Sequence, residues 1–361
     1  KGPGVDRCGD VFKHANMAGT SRHGGVLVIA GDDHAAKSST AAHQSEHILK
    51  ACGIPVLYPS SVQEILDLGL HGWAMSRYSG CWVGFKAISE TVESGASVWV
   101  DPERIQIVLP TDFQLPPGGL GIRNPDPPLE AEKRLHGPKM DAVRAFVRVN
   151  GFDRTVIDPP RPRIGIMTTG KAYLDTRQAL EDLGIDDERA KAMGIRLYKV
   201  GVTWPLEPEG ARRFAEGLQE VIVVEEKRSN LEDQLIRLLY NLPADRRPMV
   251  IGKADARPTG DDKTTLAFRL DGGFGGDVGH IGDSLFDGRL FGARDLVFGF
   301  FGHDKTQGWA RSPRRSPAGR TSWVMPGRTG TCASIDDDAD RSGNGPWSGG
   351  LAGRARTGAG P

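Results

Sequence analysis

Gly25-Val26-Leu27-Val28-Ile29-Ala30 is an unbroken apolar run rich in β-branched residues, closed by Gly31 and the aspartates Asp32 and Asp33. A short run of this kind, stopped by turn formers, reads as a strand buried on both faces of a parallel sheet. In an open α/β sheet, ligands sit beyond the carboxyl ends of the strands. The stretch that follows this strand holds Asp32, His34, Lys37, Ser38, Ser39, Thr40, His43, Gln44 and Glu46 before the next apolar run. Asp32 to Glu46 is therefore the first place to look for chemistry.

The rest of the chain is expected to alternate in the same way. Ser39 to Cys52 can form a helix, Ile54 to Tyr58 a second strand, and Ser60 or Ser61 caps a helix with Val62, Ile65, Leu66, Leu70 and Trp73 at helical spacing. Cys81–Ile88 and Ile105–Leu109 read as strands, and Trp73, Tyr78, Trp82 and Phe85 as core. Pro110 to Pro128 is too rich in proline and glycine for helix or inner strand and reads as a linker. Glu130 to Val149 reads as a helix interrupted by Gly137-Pro138. A second unit then alternates: strands Ile164–Thr168, Ile195–Val200 and Val221–Glu225, helices Lys171–Leu183, Pro208–Leu218 and Asn230–Tyr240, and a final strand at Met249–Gly252. Alternation of this kind predicts an α/β fold of two doubly wound parallel-sheet domains. The expected boundaries are 1–110, a Pro-rich linker and connecting helix at 111–160, and 161–253.

From about Arg257 the composition changes. Gly272-Gly273-Phe274-Gly275-Gly276, the run Arg311 to Pro317, and the Gly/Arg/Ser/Pro mixture to Pro361 show no sustained period, apart from an apolar patch at Leu296–Phe301. Residues 254–361 are expected to be a low-complexity tail, disordered or aberrant, and the abruptness of the change favours a shifted reading frame over native disorder.

Charge excludes some functions. With 46 basic and 46 acidic residues the chain has no net charge, which argues against nucleic acid as a partner. No apolar run approaches the ~20 residues of a membrane span, and no secretory leader opens the chain, so no membrane partner is expected and the cytoplasm is the expected compartment. Cys8, Cys52, Cys81 and Cys332 lack the spacing of zinc or iron–sulfur sites and read as reduced thiols, mostly buried. The chain opens at Lys1 without a methionine, which suggests a longer parent sequence.

Three motifs carry chemistry on paper. His43-Gln44-Ser45-Glu46-His47 fits H-x-x-E-H, where two histidines one helical turn apart bind zinc and the glutamate activates water. No downstream glutamate stands out as a third ligand, so a metalloprotease is the lesser reading beside a polar helix start lining a cleft, and no metal ligand is assigned. Gly165 to Ala172 approaches a P-loop, but Ala172 has no hydroxyl for magnesium, and a plain strand-to-helix turn is the simpler reading. Gly2-Pro3-Gly4 makes a turn in any context.

A resemblance sharpens these readings. GPGVDRCGDVFKHANMAGTSRHGG with VLVIAGDDHAAKSSTAAHQSEH and IPVLYPSSVQEILDLGLHGWAMSRYSGCWVGFKAISETVES, then RPRIGIMTTGKAYLDTRQALEDLGI, IRLYKVGVTWPLEPEG and VIVVEEKRSNLEDQL, resemble the indolepyruvate:ferredoxin oxidoreductases in their fused bacterial form. The likeness covers about residues 1–253. It implies a partial pyrimidine-binding domain of a thiamine diphosphate enzyme, a transketolase C-terminal-like domain, and oxidative decarboxylation of 2-oxo acids, typically arylpyruvates, to acyl-CoA. It further implies thiamine diphosphate with Mg2+, [4Fe-4S] clusters, coenzyme A, ferredoxin as electron acceptor and a homodimer. The positions that match near the cofactor cleft are Gly2, Pro3, Gly4, Asp6, Asp32, His34, Ser38, Ser39, His43, Gln44 and Glu46. Gly2 to Gly4 is expected to let backbone approach the pyrimidine side, and Ser39 to Gln44 to order the substrate side. The glutamate that activates the aminopyrimidine is expected upstream of Lys1, and the Gly-Asp-Gly diphosphate domain and the cluster cysteines elsewhere. This stretch alone is expected to be inactive and to bind none of the cofactors fully; a non-catalytic scaffold is the alternative.

Overall fold

The computed structural model describes residues 1–253. The expected tail at 254–361, with Cys332 and the apolar patch at 296–301, lies outside the described residues. In chain order the elements are α1 (Gly2–Arg7), α2 (Gly9–Ala18), β1 (Leu27–Asp32), α3 (Glu46–Ala51), β2 (Val56–Leu57), α4 (Val62–Ser79), β3 (Val83–Ile88) and α5 (Ser89–Val92). The segment 93–127 has no helix or strand. Then come α6 (Pro128–Arg134), a π-helical turn Leu135–Lys139, α7 (Met140–Val149), β4 (Arg154–Ile157), β5 (Ile164–Thr169), α8 (Gly170–Asp182), α9 (Asp187–Met193), β6 (Ile195–Val200), β7 (Val202–Trp204), α10 (Pro208–Ala215), β8 (Glu220–Val224), α11 (Leu231–Leu239) and β9 (Met249–Ile251).

These elements build two sheets of mostly parallel strands, as alternation of strand and helix requires. The first has the order β1-β3-β2-β7 and the second β4-β6-β5-β8-β9. Each closes on one antiparallel strand: β7 pairs with β2, and β4 with β6. The first sheet is covered on one face by α4 and α7, through Met75, Val143 and Phe146, and on the other by α1 and α3, through Val5 and Leu49. The second is covered by α8 and α9 through Leu180 and Ala190, and on its other face by α10 and α11 through Phe214, Leu235 and Leu239.

Several expectations change in detail. Gly2-Pro3-Gly4 is the opening of α1, with proline in the first turn, where its missing N–H costs nothing. Helix α4 does start at Ser61, whose side chain accepts from the Glu64 amide, and ends at Gly80 in the left-handed region. Only part of its apolar face meets the core under the sheet, where Ile65 and Leu68 pack. A Cβ on Gly72 would come within 2.5 Å of Leu57, so the helix docks through Gly72, Met75, Ser76 and Ser79 and leaves Leu66, Leu70 and Trp73 exposed. Tyr78 and Trp82 are half-buried; Phe85 is core. Ile105–Leu109 is no strand. The Val108 amide and carbonyl are satisfied by the Asn150 side chain at 2.9 and 2.8 Å, a side-chain substitute for a ladder partner. Cys52 and Cys81 are buried free thiols and Cys8 is partly exposed.

Candidate functional site

Five strands end on one small volume. β1 ends at Asp32 and leads to His34; β2 leads to Tyr58; β3 carries Lys86; β5 runs straight into α8 at Gly170; β8 leads to Glu225 and Glu226. The carboxyl ends of both sheets thus converge, as expected for an α/β crevice.

Lys86 is the centre of this cluster. It is fully buried in a strand whose other residues are all buried, and its Nζ lies 2.6 Å from Glu46 Oε1, 3.9 Å from Asp32 Oδ2 and 4.2 Å from the centre of the Tyr58 ring. Burial acts against its charge, but Glu46, Asp32 and Glu226 outweigh it and raise its pKa. Asp32 is buried too. Its Oδ2 accepts from the Ser45 amide at 2.9 Å and hydroxyl at 3.0 Å, and its Oδ1 faces His43 Nδ1 at 3.2 Å. Burial pushes Asp32 upward, while His34, Lys86 and the Ser45 amide hold it down at about 2.

The second half of the chain enters through the loop after β8. Glu226 Oε2 accepts from the Tyr58 hydroxyl at 2.5 Å and lies 3.1 Å from His34 Nδ1. Despite burial, His34 and Lys86 keep Glu226 ionised, with a pKa of about 2. His34 Nε2 is 3.8 Å from Asp32, an ion-pair distance and too long for a hydrogen bond, and Glu46 Oε2 is buried with no hydrogen-bond partner. Burial and Lys86 act to lower His34, but its two carboxylate neighbours raise it. Gln44 reaches the same loop, accepting from the Arg228 amide at 3.0 Å and donating to its carbonyl at 3.2 Å.

The positions singled out from sequence are distributed as follows. Asp32, His34, His43 and Glu46 meet in the cluster, and Asp6 joins at its edge, 3.0 Å from His43 Nε2. A Cβ on Gly2 would fall 1.9 Å from the His43 ring, so Gly2 makes room for the imidazole. Pro3 and Gly4 are exposed on α1 and touch none of these groups. Ser38 is exposed and bonds to Asp33 and Lys1, while Ser39 is half-buried on the same loop. Gln44 is committed to the Arg228 backbone.

The helix expected over Ser39–Cys52 begins only at Glu46, so His43 and His47 are not one helical turn apart and the H-x-x-E-H geometry does not form. Both ring nitrogens of His43 face carboxylates instead. The P-loop likeness fails similarly: Thr168 and Thr169 are strand, α8 starts at the next residue, and Lys171 pairs with Asp175 at 2.5 Å, which leaves no loop to wrap a phosphate.

Lys86, Tyr58 and Glu226 were not singled out from sequence. Lys86 left a signal, the one charge inside an otherwise uncharged strand. Gly170 was also passed over. It has φ +49, and a Cβ there would fall 2.1 Å from Tyr58 Cε1. Gly170→Ala is therefore expected to displace Tyr58 from Glu226 and to cost about 2–3 kcal/mol, read as a lower urea midpoint. An unchanged midpoint would remove this account of the glycine.

Comparison with known proteins bears on the second half first. Residues 153–267 match the family model of the indolepyruvate ferredoxin oxidoreductase middle domain. The chain is related to the indolepyruvate ferredoxin oxidoreductases. The indolepyruvate oxidoreductase subunit IorA of Methanothermobacter marburgensis is 24% identical over 239 residues, which is 64% of this chain and 36% of that protein. IorA of Pyrococcus horikoshii is 25% identical over 240 residues, again 64% of this chain and 35% of the relative. The chain thus spans about a third of the length of these curated relatives. The solved 2-oxoglutarate:ferredoxin oxidoreductase from Magnetococcus marinus covers 74% of this chain and 51% of its own at 15% identity, with a TM-score of 0.44, too slight a likeness to argue from. The family match runs past Lys253, the last described residue. Among the described residues no helix is long and apolar enough to cross a membrane.

Proposed function

We propose that this chain supplies a cleft of a 2-oxoacid:ferredoxin oxidoreductase that oxidatively decarboxylates indolepyruvate and related arylpyruvates to acyl-CoA, in the cytoplasm and as a homodimer. The observation that carries the reading is the buried Asp32–His34–Glu46–Lys86–Glu226 cluster, built at the strand ends of both sheets in a chain related to this family. A charged network kept in a low-dielectric crevice is a functional-site signal.

The family's cofactors fit these residues only in part. A diphosphate with Mg2+ calls for an oxygen-ligand set and cationic or backbone donors, but the carboxylates of the cluster outnumber its cations. Among the described residues no group of three or more His, Cys, Asp or Glu side chains is arranged to hold a metal ion. The three described cysteines are free and ungrouped, which does not fit an iron–sulfur cluster. The proposal therefore assigns the diphosphate, Mg2+ and [4Fe-4S] sites to parts of the enzyme other than residues 1–253. Bound thiamine diphosphate would supply the electron sink for decarboxylation. The described residues contribute the fixed charges and the closure between the halves.

The test uses the full-length gene product that contains this chain, supplied with indolepyruvate, coenzyme A, thiamine diphosphate, Mg2+ and oxidised ferredoxin. The expected result is ferredoxin reduction coupled to acyl-CoA formation and dependent on added thiamine diphosphate. A full-length protein that neither binds thiamine diphosphate nor reduces ferredoxin would leave a scaffold in place of the enzyme.

A further inference from the structure

The loop joining β8 to α11 carries two cations with no ion-pair partner among the described residues. Glu226 is held by Tyr58 and His34, and Arg228 is held through its backbone by Gln44. Lys227 lies between these two anchors with φ +65, in the left-handed region that residues with a Cβ rarely adopt. Glycine or asparagine would sit there without strain, and the chain has lysine. Such an outlier, over-determined by contacts on both sides, points from strain toward function. Lys227 is half-buried and Arg228 exposed. Neither has a carboxylate within 4 Å among the described residues, whereas Lys86 and Lys171, near these strand ends, are both paired, and Lys253 Nζ donates to the Glu225 carbonyl at 2.6 Å.

An anion cannot occupy the floor of the cluster. Asp32, Glu46 and Glu226 are three carboxylates against Lys86 and His34, and Glu46 Oε2 is a further buried acceptor with no donor. Like charge on the floor and unpaired positive charge on the adjoining loop bias an incoming anion toward the loop.

We infer that Lys227 and Arg228 receive the carboxylate of the 2-oxo acid at the rim of the cluster. The inference rests on the reading of this crevice as a 2-oxo acid site. It also fixes the kinetic role of the two residues. When the bond between the carboxylate and the carbonyl carbon breaks, the carboxylate leaves as neutral CO2 and the electron pair stays on the carbonyl-carbon side. Until that bond breaks, a cation gripping the carboxylate holds the bound acid and the approach to the transition state alike, so its loss raises KM and leaves kcat little changed.

The experiment uses the full-length protein and the double variant Lys227→Asn/Arg228→Gln, in which asparagine keeps the left-handed backbone and removes the charge. Phenylpyruvate and its uncharged methyl ester are the probes, measured by calorimetry, with phenylpyruvate turnover alongside. The expected result is at least a tenfold rise in both Kd and KM for phenylpyruvate, with kcat within about twofold of wild type and the ester's affinity unchanged. Lys227→Arg, with the charge restored, should remain close to wild type. Equal losses for acid and ester, or no loss for either, would overturn the inference. A wild-type protein that binds the acid through these residues without oxidising it would refute the oxidoreductase reading and leave the carboxylate site standing. One that binds no 2-oxo acid refutes both.

Discussion

Lys86→Met is expected to lower the stability of the chain by about 3–5 kcal/mol, because it removes one partner from a buried ion pair and leaves the others behind. Methionine fills a similar volume, so the cost is electrostatic: Glu46 loses its 2.6 Å contact, and Asp32 and Glu226 lose the buried ammonium that lowers their pKa values. The measurement is urea denaturation with the slope held constant, so that the midpoint reports stability. The charge origin has its own signature. In acid the abandoned carboxylates can take up protons, and the gap between Lys86→Met and wild type should narrow there. A midpoint unchanged by the substitution, or a gap of the same size at pH 3 and pH 7, would show that Lys86 does not organise the cluster.

Acid should unfold this chain early. Asp32 and Glu226 have folded pKa values of about 2 against ordinary values of 3.8 and 4.5, so each contributes stability that is complete above its unfolded pKa. That contribution is lost as pH falls from about 4.5 through 2. By linkage each is worth roughly 2–3 kcal/mol, and less when both are counted, because they share His34 and Lys86. His34 runs the other way. Its raised pKa means that its contribution is complete below 6.5 and declines as pH rises through the folded value. The wild-type urea midpoint is expected to fall steeply between pH 4.5 and pH 3, and to fall again toward pH 8, where the buried carboxyls of Asp153 and Glu225, both pushed up to about 7 by burial, must also ionise. The acid limb should flatten in an Asp32→Asn/Glu226→Gln variant. If both proteins lose stability in parallel between pH 5 and pH 3, other carboxylates are responsible.

Most of the regular structure was legible because its elements are long and periodic. Ile195–Val200 is a strand at the expected bounds, α8 and α11 lie within a residue of theirs, and α4 starts after the expected cap. The losses have local causes. Residues 39–45 do not continue α3 because side chains intercept the backbone there: Asp33 takes the amides of Lys37 and Ser38, and Asp32 takes that of Ser45. β4 and β7 are too short to show a period, and β2 is only two residues long. Within the crevice, the residues next to β1 were found by position, since strand ends are where polar groups gather. Tyr58, Lys86 and Glu226 were not, because their contacts span 28 to 192 positions and sequence spacing carries no trace of them.

The antiparallel edge of the first sheet also sets an order of events at the ribosome. Leu57 of β2 is paired with Val202 of β7, about 145 positions further along. At roughly 5–20 residues per second, the nascent chain displays the bare edge of β2 for about 7–30 s before its partner is made. Throughout that interval Val56, Leu57 and Tyr58, all buried in the finished molecule, lie open to any other strand or chaperone that reaches them first.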